Sequence, residues 1–370
     1  MMYRDDSFAN QTLPAWLEPV STNSSIVLSS RVRFARNLAG FAFPNKATIS
    51  ELNEILEIVG IAIKKEQTMV QSFSQTNYLP IEQITTLQAE FLLERHLISP
   101  DFLHRMRIKK DSKPENSSGR GVFINRDETI SIMVNEEDHL RIQVLSPECN
   151  FANGFKKLDE FDNNLESNLR FAYSQQYGYL TACPSNVGTG LRASILIHLP
   201  GLVLTKEIEK ILRAIWQIGY AVRGLYGEGT ETRGHFFQIS NTVCLGQSEQ
   251  EILEGIEKVT SNLISYEEKA RTYLINNTKT EIEDKIFRAH GVLNSARLIS
   301  NEEAFNFLAT VRLGVAMNII SDVSIATLNK IMLLIRPANL QMFYNQEMPP
   351  HERDEKRAAL IRELLKNSNN

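Results

Sequence analysis

The chain has 370 residues, 42% apolar and 23% charged. This is ordinary globular usage, enough to bury a sizeable core in one large domain or two ordinary ones, and it excludes a disordered, collagen-like or disulfide-stapled chain. Forty basic and 44 acidic residues leave a formal charge of -4, which gives no electrostatic case for nucleic acid or an anionic membrane as partner. The basic residues divide into 23 Arg and 17 Lys. Arginine is the planar, permanently charged fork that grips phosphate and carboxylate in bidentate fashion, so its placement matters more than the net charge. Cys149, Cys183 and Cys244 are far apart and form no C-x-x-C pair, which argues against a disulfide framework and a structural zinc site; no metal-ligand set is expected. Met1 to Asn10 is polar and no apolar run approaches a membrane span, so the expected compartment is the cytoplasm.

Residues 1 to about 45 read as loop-rich, with Pro14, Pro19 and Pro44. The spacing of Leu52, Ile55, Leu56, Val59 and Ile63 predicts a helix over 50–65, and a second pattern fits 82–93. The charged, Ser/Gly-rich stretch 109–121 reads as an exposed loop. Alternation of Ile130, Ile132 and Val134, of Leu140, Ile142 and Val144, and of Ile195, Ile197 and Leu199 predicts strands. A helix is expected over 205–218 and a strand over 236–245 with a turn near Asn241. From Ser248 onward the pattern is helical, with segments near 248–275, 280–289, 301–319, 324–335 and 351–365. The expected organisation is an α+β domain over 1–260 and an all-helical domain over 261–370.

No Walker loop, G-x-G-x-x-G, H-E-x-x-H or G-x-S-x-G motif is present. Dense polar clusters stand between apolar runs instead. In Ser29-Ser30-Arg31-Val32-Arg33-Phe34-Ala35-Arg36, Arg31 and Arg33 alternate around an apolar residue, so in extended chain they face one side and can clamp one anion; a solvated edge strand is the plain alternative. In Asn135-Glu136-Glu137-Asp138-His139-Leu140-Arg141, three consecutive carboxylates repel unless a cation or a catalytic task holds them, although an ordinary acidic turn also fits. Cys183-Pro184-Ser185-Asn186-Val187-Gly188-Thr189-Gly190-Leu191-Arg192 frees the backbone to approach a ligand and ends in an arginine. Arg223-Gly224-Leu225-Tyr226-Gly227-Glu228-Gly229-Thr230-Glu231 is a glycine loop with an arginine and carboxylates. Arginines on several loops with two carboxylates also on loops suit a polyphosphate held by guanidinium groups, because phosphoryl transfer needs positioning and charge neutralisation more than covalent chemistry.

These four clusters, in this order, resemble the phosphagen (guanidino) kinase family, and most of all its bacterial protein-arginine kinase branch. The resemblance covers about residues 25 to 250, and Arg353-Asp354-Glu355-Lys356-Arg357-Ala358 matches the branch's R-D-x-x-R-A motif. It implies a catalytic domain with an antiparallel sheet flanked by helices, then a helical C-terminal domain. It implies that ATP with Mg²⁺ is bound by Arg31, Val32, Arg33, Phe34, Ala35, His96, Arg141, Arg192, Ala193, Ser194, Ile195, Leu196, Arg223, Gly224, Leu225, Tyr226, Gly227 and Glu228. Glu137 and Glu228 become the guanidinium-holding carboxylates, Cys183 the active-site cysteine, and Arg353, Asp354 and Arg357 a phosphoarginine site. Ser185 stands where many relatives have Thr and keeps the hydroxyl.

A guanidinium has no free lone pair, so two carboxylates must fix its plane and accept its proton as the N–P bond forms. A thiolate at Cys183 would add negative charge beside it. The expected function is phosphorylation of arginine residues in proteins, linked to regulated proteolysis and stress response. Alternatives are a metabolic phosphagen kinase acting on free arginine or another small guanidine, and a non-catalytic phosphoarginine-binding adaptor. The resemblance implies partners as well: proteins with exposed arginine, a zinc-containing activator protein, a Clp-type protease and a second copy in a homodimer.

Overall fold

The computed structural model describes residues 13–66, 76–106, 119–224 and 233–368. Its first half alternates strands and helices: β1 (Val27–Arg36), α1 (Ile49–Glu66), β2 (Thr76–Pro80), α2 (Thr86–Glu94), α3 (Pro100–Met106), β3 (Gly121–Asn125), β4 (Ile130–Val134), β5 (Leu140–Pro147) and α4 (Phe151–Glu166). A two-stranded ribbon, β6 (Tyr173–Ser174) and β7 (Gly178–Tyr179), precedes β8 (Leu191–His198), α5 (Pro200–Leu204), α6 (Ile208–Gln217), β9 (Tyr220–Gly224) and β10 (Phe236–Asn241). The rest is helical: α7 (Glu249–Asn277), α8 (Lys279–Ser295), α9 (Asn301–Ala316), α10 (Ile325–Leu334), α11 (Pro337–Tyr344) and α12 (Pro350–Asn367).

Eight strands form one antiparallel sheet in the order β2-β3-β4-β5-β1-β8-β10-β9. Because side chains alternate across a strand, each strand serves two different environments. Val32, Phe34, Ile142, Val144, Ala193, Ile195 and Ile239 face a continuous apolar core filled by Ile55 and Val59 of α1, Phe151, Leu158, Phe161 and Leu165 of α4, and Ile252, Ile256 and Leu263 of α7. The opposite face is apolar only toward its ends. At one end Val122, Ile124 and Met133 pack under Phe91, Leu92 and Phe102 of α2 and α3. At the other, Leu28 and Phe236 join the core of α8, α9, α10 and α12. Helix α7 serves both sides, since Ile252 to Ala270 belong to the sheet's core and Leu274 to that of the helical region.

The strands expected at 130–134, 140–144 and 195–199, the helix near 50–65 and the helical tail are present. Other expectations need correction. The first 45 residues contain the ten-residue strand β1, which lies between β5 and β8 and is therefore not the solvated edge strand offered as an alternative; Ser29, Arg31 and Arg33 break its apolar run on one face only. Helix α4 was not expected: Lys156, Lys157, Asp159, Asn163 and Asn164 hide an apolar stripe at three- and four-residue spacing. The helix expected over 205–218 is present as α6 and starts only at Ile208, because Lys206 adopts a left-handed φ of 63° that separates it from the short α5 before it. The helix over 82–93 opens as a 3-10 turn, Ile81–Gln83, and becomes regular only where Thr85 and Gln88 form a capping box. Of the expected loop 109–121, Gly121 instead starts β3, buried against the Tyr78 ring, while 109–118 lies outside the described residues.

Phe161 is fully buried between α4 and the sheet. Phe161→Ala should cost about 3–5 kcal/mol in a urea titration, the range for a large core truncation; a loss below about 1 kcal/mol would contradict this packing.

Candidate active site

Five arginines converge on the face of the sheet that the apolar ends leave open. Arg33 of β1 lies opposite Gln143 of β5 and Arg192 of β8. Arg141 lies opposite Ala35, and Arg31 opposite Ser194. Arg223 of β9 is opposite Gln238, which is itself opposite Leu196. The two-residue period therefore puts Arg31, Arg33, Arg141, Arg192 and Arg223 on one side. They perturb one another. Arg31 is pushed down to about 9 by burial and then by Arg141, Arg192 and Arg223. Arg33 is lowered by burial and by Arg31, Arg141 and Arg192, with Glu136 as the opposing charge. Arg192 is lowered by burial and by Arg223, and its Nε donates to the Asn241 carbonyl at 3.2 Å. Guanidiniums crowded in this way, with one carboxylate against them, form the electrostatic complement of a polyphosphate.

The three consecutive carboxylates divide their work. Glu136 is buried; it accepts from Arg141 Nη1 at 2.9 Å, from Ser99 Oγ at 2.5 Å and from the Glu137 amide at 2.8 Å. Although burial alone would raise it, Arg141 and these donors hold Glu136 down at about 2. Asp138, also buried, accepts from Asn37 Nδ2 and from the Ala182 amide, both at 2.6 Å. Glu137 stands between them with no side-chain partner among the described residues. Its acid is raised by partial burial and then by Asp138 and Glu136. Glu136 and Asp138 are thus tied into the fold, and the carboxylate between them has no such tie among the described residues.

Asp138 also joins this turn to the loop that carries Cys183. That thiol is partly buried, with Sγ 3.0 Å from Ser185 Oγ. The loop closes through Gly188 and Gly190, both at positive φ; a Cβ on Gly190 would lie 2.5 Å from Arg36 Nη1 and 2.7 Å from the Ala35 carbonyl, so glycine is required there. His96 lies at the rim with a φ of 60°, its carbonyl accepting from Gln143 Nε2 at 2.7 Å and its ring edge-on to Trp16. Burial, then Arg336 and Arg31, lower His96 well below its usual value, so the imidazole is neutral at pH 7.

Not every residue of the expected set joins this face. Val32, Phe34, Ala193 and Ile195 point into the core, so they can meet a ligand only through backbone or through packing. Leu225, Tyr226, Gly227 and Glu228 lie outside the described residues. The R-D-x-x-R-A residues sit on α12, and Arg357 is 1% exposed, donating to the Ile335 and Ile299 carbonyls at 2.9 Å and to Asp354. Arg353 donates to the Met348 carbonyl at 3.0 Å. Sequence reasoning overlooked Arg36, Asn37 and Asp162. The signal was parity: Arg36 is out of step with Arg31 and Arg33, so a strand must send it to the other face.

Glu136 gives a stability test. A carboxylate lowered in the fold contributes stability above its ordinary value and loses it as pH falls through its folded value. The step from 4.5 to about 2 corresponds to on the order of 3 kcal/mol. Glu136→Gln should destabilise the protein by that order at pH 7, and the gap to wild type should narrow as pH falls below about 4.5. A gap independent of pH in denaturant titrations would contradict the pairing.

Comparison with known proteins agrees with this geometry. The profile described as ATP:guanido phosphotransferase, C-terminal catalytic domain, matches residues 57–270, and that described as protein-arginine kinase McsB C-terminal domain matches 279–370. A protein-arginine kinase of Halothermothrix orenii is 43% identical over 356 residues, covering 96% of this chain and 97% of the relative. One from Moorella thermoacetica is 43% identical over 350 residues, covering 95% and 97%. Among solved structures, a lombricine kinase superposes with a TM-score of 0.55 at 26% identity, covering 70% of each chain. The duplicated taurocyamine kinase of Schistosoma mansoni gives 0.56 at 29% identity, covering 71% of this chain, which spans 36% of that enzyme's length. With both profiles matched and the sequence likeness running almost end to end, the chain belongs to the ATP:guanido phosphotransferase family, in its protein-arginine kinase branch.

Proposed function

We propose that this protein transfers the γ-phosphate of ATP to the guanidinium of arginine residues in proteins. The observation that carries the reading is the Glu137 carboxylate, without a side-chain partner among the described residues, beside a face of five mutually repelling arginines. The arginines hold the triphosphate and keep its γ-phosphorus in line with the acceptor. Glu137 and, on its glycine-rich loop, Glu228 fix the acceptor guanidinium and take up the proton lost as the N–P bond forms. A carboxylate raised by burial is the better proton acceptor for so weak an acid. Mg²⁺ carried on the nucleotide phosphates would screen their charge.

Protein arginine is favoured over free arginine by the helical region that this chain shares with the protein-arginine kinases. There Arg353 and Asp354 would dock a phosphoarginine: Asp354 keeps 36% of its side chain exposed, while the buried Arg357 shapes the helix. From the family resemblance we also infer a cytoplasmic enzyme, homodimeric, assisted by a zinc-containing activator and marking substrates for a Clp-type protease under stress.

Incubation with Mg-ATP and either an unfolded protein or free arginine should give acid-labile phosphate on the protein. Product on free arginine alone would favour the metabolic reading, and product on neither the adaptor. Glu137→Gln should lower transfer by about 10²–10⁴-fold with nucleotide affinity within about twofold. Because Glu137 is raised and must be ionised to act, the acid limb of kcat/KM should lie above the ordinary value of 4.5. A limb at or below it would count against this assignment.

A further inference from the structure

We propose that Arg36 and Asn37, the two residues where β1 ends, are positioning residues that clamp both ends of the Cys183 loop and bind it to the turn carrying Glu137. The inference rests on the function proposed above.

Arg36 is 1% exposed and faces the core side, opposite to Arg31 and Arg33. Its Nε and Nη2 donate to Asp162 Oδ2 of α4 at 3.0 and 2.7 Å. Its guanidinium lies 3.6 Å from the Tyr179 ring centroid and 4.2 Å from that of Phe34. The remaining nitrogen, Nη1, donates to the Thr189 carbonyl at 2.9 Å and to the Ala35 carbonyl at 3.0 Å. A buried guanidinium needs its charge and its donors satisfied. Asp162 supplies the charge, so the fork has a direction left over, and it is spent on the far end of the Cys183 loop. A second link runs alongside, from the Ala35 amide to the Gly190 carbonyl at 3.1 Å.

Asn37 holds the near end. Its Nδ2 donates to the Leu180 carbonyl at 3.1 Å and to Asp138 at 2.6 Å, and its Oδ1 accepts from the His139 amide at 2.9 Å. Asp138 in turn accepts from the Ala182 amide, next to Cys183. One buried amide therefore touches the strand end, the turn that carries Glu137 and the loop that carries Cys183. The two consecutive residues leave β1 on opposite faces, which is what lets them reach both loop ends from one fixed strand. The rest of that strand carries Arg31 and Arg33. Nucleotide anchor, carboxylate and thiol are thereby referred to a single backbone element, the arrangement that a rigid near-attack geometry requires.

The test uses the full chain carrying Asn37→Ala or Arg36→Lys. The lysine can still pair with Asp162 but lacks the fork that reaches Thr189. With folding confirmed by thermal melting, kcat should fall about 10- to 100-fold while KM for ATP stays within about twofold, because the five arginines are untouched. Exchange of the Ala182 amide should accelerate in Asn37→Ala. A folded Asn37→Ala enzyme with wild-type kcat and wild-type exchange at Ala182 overturns the proposal. Should both variants fail to fold, the wild-type amide decides: protection at Ala182 is expected, and exchange as fast as in an unstructured peptide overturns the clamp. Glu137→Gln and Cys183→Ser run in parallel separate the two levels. Full activity in both undoes the roles given to Glu137 and Cys183, no acid-labile phosphate on protein with the wild-type chain undoes the functional reading, and normal turnover in the clamp variants alone undoes only the clamp.

Discussion

Like charges on one sheet face are the constraint from which the rest of this structure follows. Two guanidiniums about 6 Å apart repel by about 3 kcal/mol at an effective dielectric near 20, and here burial and the neighbouring guanidiniums together push Arg31 down to about 9. The sheet bears this repulsion because the same strands bury Val32, Phe34, Ile142, Ala193 and Ile195 on their other side. Among the described residues Glu136 pairs directly with Arg141 and offsets part of the repulsion. A site balanced in this way is poised for an anion rather than satisfied without one, and that imbalance is the physical content of its function.

Much of this was legible in the sequence, for a definite reason. Residues that contact a ligand directly must be of particular types at particular spacings, and Arg31, Arg33, Glu137, Cys183, Arg192 and Arg223, the residues proposed for that role, stand out as polar clusters between apolar runs. The residues that hold those groups in place were harder to read. Asp138 and Glu136 look like equal members of an acidic run; only the fold shows that Asn37 and Arg141 occupy them. Asp162 sits in what looks like an ordinary polar helix face until Arg36 arrives from a strand 126 residues earlier. Long-range pairing leaves no local trace.

The same reasoning explains why β1 was hidden and why its arginines are not alike. Arg31 and Arg33 alternate with Val32 and Phe34, but the strand is short of apolar residues on its open face and follows a loop-like stretch, so the arginines that mark it also masked its central place in the sheet. The surplus of arginine over lysine likewise covers two different uses. Arg36, Arg312 and Arg357 are almost wholly buried and donate to backbone carbonyls or to single side chains. There the planar fork acts as a joint between segments, whereas Arg31, Arg33, Arg141, Arg192 and Arg223 share the open face of the sheet as the proposed binding groups.

Helix α7 has a mechanical meaning of its own. At 29 residues it is about 43 Å long, and it lends its first two thirds to the core under the sheet and Leu274 to the helical region. About two thirds of the way along, Glu267 accepts from the Gly201 and Leu202 amides at the start of α5 while pairing with Arg271, tying the rod to the sheet domain near where it leaves it. A rod whose side chains belong to both cores couples them mechanically. Thermal disorder that begins in either body is therefore expected to reach the other along α7.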